Sequence, residues 1–125
     1  GMAWIADFLG HKAVRFARLD PAGTALFGPV DVTEAGGYNS APDLVWAEGE
    51  YGLAWQDRTD DLAEIHFTRL DGEGGPLGPT VRITFADGAS ETPSLVWAGD
   101  RYGVAWVDSR DGNEEIYFTT IAACR

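Results

Sequence analysis

A repeat of 51 residues constrains this chain more than any other feature of its sequence. Residues 41–70 and residues 92–121 carry the same amino acid at fifteen of 30 aligned positions. The shared positions include Trp46/Trp97, Tyr51/Tyr102, Gly52/Gly103, Trp55/Trp106, Asp57/Asp108, Ile65/Ile116 and Phe67/Phe118. Residues 16–33 match residues 67–84 in the same way, so a further, partial copy precedes the two complete ones.

Each unit divides into four short runs with β character, which we name strands A to D. Strand A covers 30–33 and 81–84, strand B 43–47 and 94–98, strand C 51–57 and 102–108, and strand D 64–70 and 115–121. Glycine-rich turns separate the runs, and apolar residues show no helical period, so the sequence predicts an all-β fold. Pro42 and Pro93 predict the start of strand B, because proline has no N–H to donate to a sheet.

Strand C alternates bulky and small residues. Tyr102, Val104 and Trp106 alternate with Gly103 and Ala105, and the preceding copy repeats this order. Successive side chains of a strand point to opposite faces, so one face is large and the other nearly bare. The alternation predicts sheets stacked large on small, although the tryptophans could instead serve as ligand platforms. The predicted structural residues are Trp46, Trp55, Trp97, Trp106, Tyr51, Tyr102, Phe67, Phe118, Gly52 and Gly103, with Asp57 and Asp108 at the strand C ends.

The pattern over residues 93–118 resembles the propeller repeats of bacterial secreted and surface proteins. It is also similar to the Asp-box blades of sialidase-like propellers, in which a Ser/Thr-x-Asp-x-Gly-x-x-Trp box joins the third and fourth strands of a blade. Residues 109–116 stand at that place, with Asn113 for the glycine and Ile116 for the tryptophan, and residues 58–65 depart further. The resemblance implies β-propeller-like, four-stranded antiparallel blades, about two and a half per chain. It also implies an extracellular or cell-surface location.

The repeat predicts one domain over residues 1–125 with three parts. Residues 1–20 form a half blade of strands C and D, residues 21–70 a blade, and residues 71–121 a second blade. A propeller closed by repetition has at least about four blades. Either the chain is a piece of a longer protein or copies assemble, and we predict a homo-oligomer, most simply a dimer of about five blades.

The charge of the chain excludes some partners. The net charge is −11, from 20 acidic against 9 basic residues. Nucleic acid is excluded because its phosphates need a basic surface, and no apolar run is long enough for a membrane span. The acidity serves solubility or attracts cations and basic ligands. Cys124 is the single cysteine, so no internal disulfide forms and its role stays open.

Candidate catalytic and metal-binding residues are few. Asp57 and Asp108 could act as paired carboxylates of a glycosidase, but their recurrence favours a structural turn. His66 is replaced by tyrosine in the next copy and is predicted to be partly exposed and not catalytic. The loops between strands C and D collect the oxygen ligands that calcium prefers, or merely turn-forming residues. The calcium candidates are Asp108, Asp111, Asn113 and Glu115, with Asp57, Asp60, Asp61 and Glu64 as their counterparts in the preceding copy.

Three functions remain open from the sequence. The leading one is a non-catalytic binding or scaffold module that recognises a protein or a glycan and works as an oligomer, without a cofactor. The second is a fragment of a sialidase-like glycoside hydrolase, which needs arginines, a tyrosine and an acid gathered from several blades. The third is a purely structural repeat segment that only assembles with itself.

Overall fold

The protein is all-β in the residues that the computed structural model describes, which are 1–34, 36–59, 62–85 and 87–123. The strands are β1 (Met2–Phe8), β2 (His11–Leu19), β3 (Ala25–Asp31), β4 (Asn39–Trp46), β5 (Glu50–Asp57), β6 (Glu64–Asp71), β7 (Val81–Arg82), β8 (Ser90–Trp97), β9 (Arg101–Asp108) and β10 (Glu115–Ala122). These ranges contain no helix, and therefore no helix that is long and apolar enough to cross a membrane.

The strands form three antiparallel sheets. Sheet 1 has the order β1-β2-β3, sheet 2 the order β4-β5-β6-β7, and sheet 3 the order β8-β9-β10. Strand A of each unit pairs with strand D of the unit before it, as β3 does with β2 and β7 with β6. Sheet 2 therefore combines strands B, C and D of one unit with strand A of the next, whereas in the described residues sheet 1 contains strands C, D and A and sheet 3 contains strands B, C and D. In the hydrogen-bonded sheets, strand A is therefore the last strand of a sheet. In the predicted units 21–70 and 71–121, strand A is instead the first strand.

The repeat reappears in the pairing of strands C and D. Trp4 lies opposite Arg15, Trp55 opposite His66 and Trp106 opposite Tyr117, each pair displaced by 51 residues from the next. The first hairpin closes tightly at Leu9 and Gly10, which both have the positive φ of a two-residue turn. In the other two copies the equivalent residues form wider loops between the strands. Those loops make the second and third copies different from the first.

Strand B begins earlier than the sequence predicts. Strands β4 and β8 start at Asn39 and Ser90, and the register shifts between residues 40 and 43 and between residues 91 and 94. Pro42 and Pro93 therefore lie in β-bulges inside their strands, and the prediction that they open strand B was wrong. A bulge leaves a residue out of the hydrogen-bond ladder, which is why proline is tolerated there.

The sheets stack in chain order, large on small. The ring of Tyr102 from sheet 3 covers Gly52 of sheet 2, where an added Cβ would lie 2.3 Å from the ring. The ring of Tyr51 covers Gly1, which directly precedes β1 of sheet 1, in the same way, at 2.6 Å. The predicted alternation in strand C is thus confirmed as the packing device. Each contact encloses an apolar cluster, one between sheets 1 and 2 and the other between sheets 2 and 3.

A buried polar network fixes the contact between sheets 2 and 3. The Tyr102 hydroxyl donates a hydrogen bond of 2.7 Å to the Glu50 carboxylate, which also accepts two from the Arg69 guanidinium at 2.7 and 2.8 Å. The carboxylate is buried, and the guanidinium compensates its charge, so burial leaves no unpaired ion. The hydrogen bonds of Glu50 and the fit of the Tyr102 ring over Gly52 therefore favour the same position of sheet 3 on sheet 2.

Candidate functional site

A cleft of about 530 Å³ opens beside the segment that crosses from sheet 1 to sheet 2. Its described lining residues are Val32, Thr33, Glu34, Gly36, Gly37, Asn39, Trp55, Asp57, Thr59, His66 and Thr80. Polar side chains thus surround one buried aromatic ring. We call this space the second-repeat cleft, because most of its side chains come from residues 21–70.

The sheet register brings the side chains of the cleft together. Trp55 and Asp57 are two residues apart near the end of β5 and therefore lie on the same face. Asn39 on β4 is paired with Asp57, and His66 on β6 is paired with Trp55. The rings of Trp55 and His66 stack with their centroids 5.9 Å apart. Three neighbouring strands thus present one polar face towards the cleft.

Two buried polar atoms of this cleft have no hydrogen-bond partner among the residues that the structure describes. The Asn39 Nδ2 donates to the carbonyl of Lys12 at 2.9 Å, which fixes the orientation of the amide. The Asn39 Oδ1 is left without a donor, and the Trp55 Nε1 is left without an acceptor. Both residues are 2 % exposed. A buried polar group that finds no partner costs about 1–3 kcal/mol, so a bound ligand or water would be favoured here.

Asp57 and His66 lie close together but form no hydrogen bond. The Asp57 Oδ1 accepts hydrogen bonds from the backbone N–H and the hydroxyl of Thr59, the first at 2.7 Å. The Asp57 Oδ2 is 3.8 Å from the His66 Nε2. Burial lowers the pKa of His66, and the nearby Asp57 carboxylate opposes that shift only in part. The imidazole is therefore neutral near pH 7, and Asp57 keeps one carboxylate oxygen available.

The third repeat builds a closed version of the same arrangement. The carboxylate of Asp108 accepts five hydrogen bonds, from the Ser90 hydroxyl, the Trp106 Nε1, and the backbone N–H, Nε and Nη2 of Arg110. The Arg110 guanidinium also covers the Tyr117 ring, 4.2 Å from its centroid. Above all, this guanidinium holds the pKa of Asp108 well below its usual range. The hydrogen-bonding groups of this cluster are paired with one another, and both oxygens of the Asp108 carboxylate already accept hydrogen bonds.

The structure separates the predicted calcium candidates. Arg110 and its neighbours already saturate Asp108, while Asp111 accepts a hydrogen bond of 2.7 Å from the Tyr117 hydroxyl. Asn113 and Glu115 are exposed. The part of the chain that the structure describes contains no group of three or more acidic, histidine or cysteine side chains placed to hold a metal ion. Asp60, Asp61 and Cys124 lie outside the described residues.

The outer surface of sheet 3 is an uncovered apolar face, which we call the open face. Its residues are Val96, Gly103, Ala105, Ile116 and Phe118. Phe118 is 62 % exposed, whereas the equivalent Phe16 and Phe67 are 0 % and 2 % exposed beneath the next sheet. Phe118, one of the predicted structural residues, is therefore exposed within one chain, because no further described sheet covers it. Trp46 is also half exposed, although its ring packs 4.8 Å from that of Tyr51.

The sequence interpretation missed the aspartates that fix the turns after strand D. The Asp20 Oδ1 accepts hydrogen bonds from the backbone N–H of Ala22 and Thr24, and the Asp71 Oδ1 does so from Glu73 and Gly75, all at 2.9 Å. These turns join strand D of a sheet to its strand A. The loops with the Asp-box-like pattern instead join the second and third strands, β5 to β6 and β9 to β10. The recurrence of Leu-Asp at 19–20 and 70–71 was the signal that could have revealed these turns.

Compared with protein-family models, with curated proteins and with solved structures, the chain matches none of them. The features of the molecule that indicate a function are therefore the second-repeat cleft and the open face.

Proposed function

We propose that the protein is a non-catalytic, propeller-type binding and scaffold module that assembles with further copies and recognises a protein or a glycan. The observation that carries this proposal is the open face of sheet 3. Its residues occupy the positions by which sheets 1 and 2 pack against the next sheet. An exposed patch with the composition of an internal contact is typical of an interface.

The covering surface is the outer face of sheet 1 in a second copy. Inside the chain, Tyr102, Val104 and Trp106 cover the face of sheet 2. In sheet 1, Met2 and Trp4 hold the positions equivalent to Val104 and Trp106. Because Ala3 and Ile5 pack towards sheet 2, the alternation of β1 directs Met2 and Trp4 outwards. Sheet 1 of one copy thus offers the kind of surface that would cover the open face of sheet 3 in another copy.

A head-to-tail contact of this kind covers both open ends of the stack when it closes into a ring. The described strands form three sheets per chain, so two copies stacked in this way supply six blades, one more than the repeat count predicts. A ring of six blades is within the usual range for propellers, and a dimer is the simplest assembly that reaches it. The dimer also leaves the second-repeat clefts available for a partner.

The glycoside hydrolase alternative has less support from the cleft. It requires arginine, tyrosine and carboxylate side chains in one pocket. The described lining residues include two carboxylates, Glu34 and Asp57, but neither arginine nor tyrosine. Turnover of a fluorogenic sialoside or glycoside, lost in the Asp57→Asn variant, would contradict the binding proposal. We expect no turnover above that of a heat-denatured sample.

Sedimentation velocity tests the assembly. We expect the wild type to sediment as a discrete oligomer, because stacking would remove the open face from water. Phe118→Asp on sheet 3 and Met2→Asp on sheet 1 should each give folded monomers, since a charge would be buried at either side of the contact. The matched control is Leu9→Asp, which adds the same charge at a fully exposed turn and should leave the oligomer intact.

A monomeric wild type at micromolar concentration would contradict the assembly. Dissociation by Phe118→Asp but not by Met2→Asp would contradict the head-to-tail arrangement. Circular dichroism checks that each variant keeps its β-sheet spectrum.

A further inference from the structure

The second-repeat cleft and the third-repeat cluster are two copies of one site. Five positions displaced by 51 residues correspond, and the sheet register is the same in both copies. The corresponding pairs are Asn39/Ser90, Trp55/Trp106, Asp57/Asp108, Thr59/Arg110 and His66/Tyr117. In both copies the tryptophan ring lies against the ring of the paired residue on strand D, with centroids 5.9 and 6.2 Å apart.

A guanidinium group fills this site in the third repeat. Arg110 forms two hydrogen bonds to the Asp108 carboxylate through its Nε and Nη2, at 2.9 and 2.7 Å, and it lies over the Tyr117 ring. A planar cation with two parallel N–H donors matches both the carboxylate and the aromatic face. The chain itself therefore shows which chemical group this arrangement of side chains accepts.

No such group fills the site in the second repeat. Thr59 stands at the position of Arg110 and carries no charge. The adjacent Arg58 does not replace it, because its guanidinium is turned towards Glu91, 3.4 Å away on β8. The cleft of about 530 Å³ lies here, with the unpartnered Asn39 Oδ1 and Trp55 Nε1 in its wall.

We infer that the second-repeat cleft binds the guanidinium group of an arginine side chain presented by a partner polypeptide. The carboxylate of Asp57 takes the part that Asp108 plays for Arg110, and the ring of His66 takes that of Tyr117. The Asn39 Oδ1 accepts a further N–H of the guanidinium. The inference rests on the proposed binding function and names the chemistry of its ligand.

The charges around the cleft agree with a cationic ligand. Asp57 and Glu34 are the carboxylates of its described lining, and His66 is the one titratable base there. Burial keeps His66 neutral near pH 7 by lowering its pKa, so its ring can stack under a cation without repulsion. The net charge of −11 adds a long-range attraction for a basic partner.

The Trp55 indole N–H reports occupancy of the site. In the third repeat the equivalent Trp106 Nε1 donates 2.9 Å to the carboxylate that holds the guanidinium. When a guanidinium draws the Asp57 carboxylate away from Thr59, the Trp55 Nε1 gains the same acceptor. Its ¹⁵N–¹H resonance should then move towards that of Trp106.

The experiment titrates ¹⁵N-labelled protein with Nα-acetyl-L-arginine amide and follows the indole resonances. We expect a saturable shift of Trp55 and none of Trp106. The amide of Nα-acetyl-L-citrulline, which has the same shape without the charge, should cause no shift. Asp57→Asn should weaken binding by roughly tenfold or more, as loss of a charged hydrogen-bond partner does. Asp100→Asn removes an exposed charge outside the cleft and should bind like the wild type.

Three results would overturn the inference. They are equal binding of the citrulline amide, unchanged affinity of Asp57→Asn, and a saturable shift with a neutral sugar but not with the arginine amide. Binding of free L-arginine without binding of the blocked amide would exclude a polypeptide as the source of the guanidinium. A wild type that sediments as the expected oligomer but does not bind the arginine amide would contradict this inference and leave the proposed assembly standing.

Discussion

The second and third repeats have nearly the same strands in the same register, yet their equivalent polar sites differ. In the third repeat Arg110 closes the site from within and saturates Asp108. In the second repeat the same position is Thr59, and a cleft with unpartnered polar atoms takes the place of the guanidinium. Three of the five corresponding positions differ, and the one that supplies or omits the guanidinium, Arg110 or Thr59, separates a structural cluster from a candidate binding site.

The two repeats also differ in their outer apolar faces. Phe67 is covered by sheet 3, whereas the identical Phe118 is exposed to solvent. The difference lies in position along the stack and not in the residues themselves. Equivalent substitutions in the two repeats therefore measure how much the surroundings of each position contribute to the free energy of unfolding.

The largest contrast is expected for phenylalanine truncation. Phe67→Ala should lower the free energy of unfolding by about 3–5 kcal/mol, because it leaves a cavity between sheets 2 and 3. Phe118→Ala should cost less than about 1 kcal/mol at a protein concentration low enough for the monomer to predominate in a sedimentation measurement. Urea unfolding followed by tryptophan fluorescence measures both. Equal losses would mean that sheet 3 is covered within one chain.

The next contrast concerns the two aspartates. Asp108→Asn should cost about 2–3 kcal/mol, because it removes the charge opposite Arg110 and disrupts a buried hydrogen-bond network. Asp57→Asn should cost less than about 1 kcal/mol, since among the described residues its carboxylate accepts hydrogen bonds from Thr59. The same unfolding measurement applies. A larger loss for Asp57→Asn would contradict the assignment of Asp108 as the structural member.

Asp108 also predicts an acid dependence of stability. Its pKa in the folded state is far below the ordinary value of 3.8, so the unfolded chain takes up a proton first. The stability from this pair is complete above pH 3.8 and is lost as the pH falls towards the lowered pKa. Asp108→Asn should therefore flatten the fall in stability below that pH. An unchanged profile would contradict the pairing with Arg110.

A smaller contrast is expected for the glycines of strand C. Gly52→Ala should cost about 1–3 kcal/mol, because its Cβ would meet the Tyr102 ring, which the Glu50 hydrogen bond holds in place. Gly103→Ala should change the unfolding free energy of the monomer by less than about 0.5 kcal/mol, since the side chains it meets lie on the open face. In the oligomer Gly103→Ala should weaken assembly, which sedimentation would show. Equal costs for the two monomers would contradict the stacking of Tyr102 on Gly52.

The smallest expected effect comes from His66. Burial lowers its pKa, so the unfolded chain binds the proton more readily, and acidification through pH 6.5 should reduce stability slightly. His66→Tyr, which copies the third repeat, should remove this part of the pH dependence. Two-dimensional NMR of the imidazole measures the titration directly. A pKa above 6.5 would contradict the neutral ring assigned to the cleft.

The strands and their stacking could be predicted from the sequence because they depend on local alternation. Residues such as Tyr102 and Gly52 reveal their faces within a few positions of the chain. The pairing of strand A with the preceding sheet could not, because register across a loop depends on hydrogen bonds between distant residues. The bulges at Pro42 and Pro93 were missed for the same reason.

The cleft could be predicted only in part. Asp57 and Trp55 stood out by recurrence, but recurrence suggested the same role for both copies. The difference depends on Thr59 facing Asp57 where Arg110 faces Asp108, which is a comparison of side chains across a loop. Burial of the Asn39 and Trp55 polar atoms depends on the crossing segment between sheets 1 and 2, whose path the repeat does not fix.

The variant Thr59→Arg tests most directly that the two repeats build one site, occupied in one and vacant in the other. The new guanidinium should bind Asp57 as Arg110 binds Asp108. In the ¹⁵N–¹H spectrum the Trp55 indole resonance should then move towards that of Trp106, and added arginine amide should no longer shift it. An unmoved Trp55 resonance in a folded variant that still binds the arginine amide as the wild type does would contradict the account.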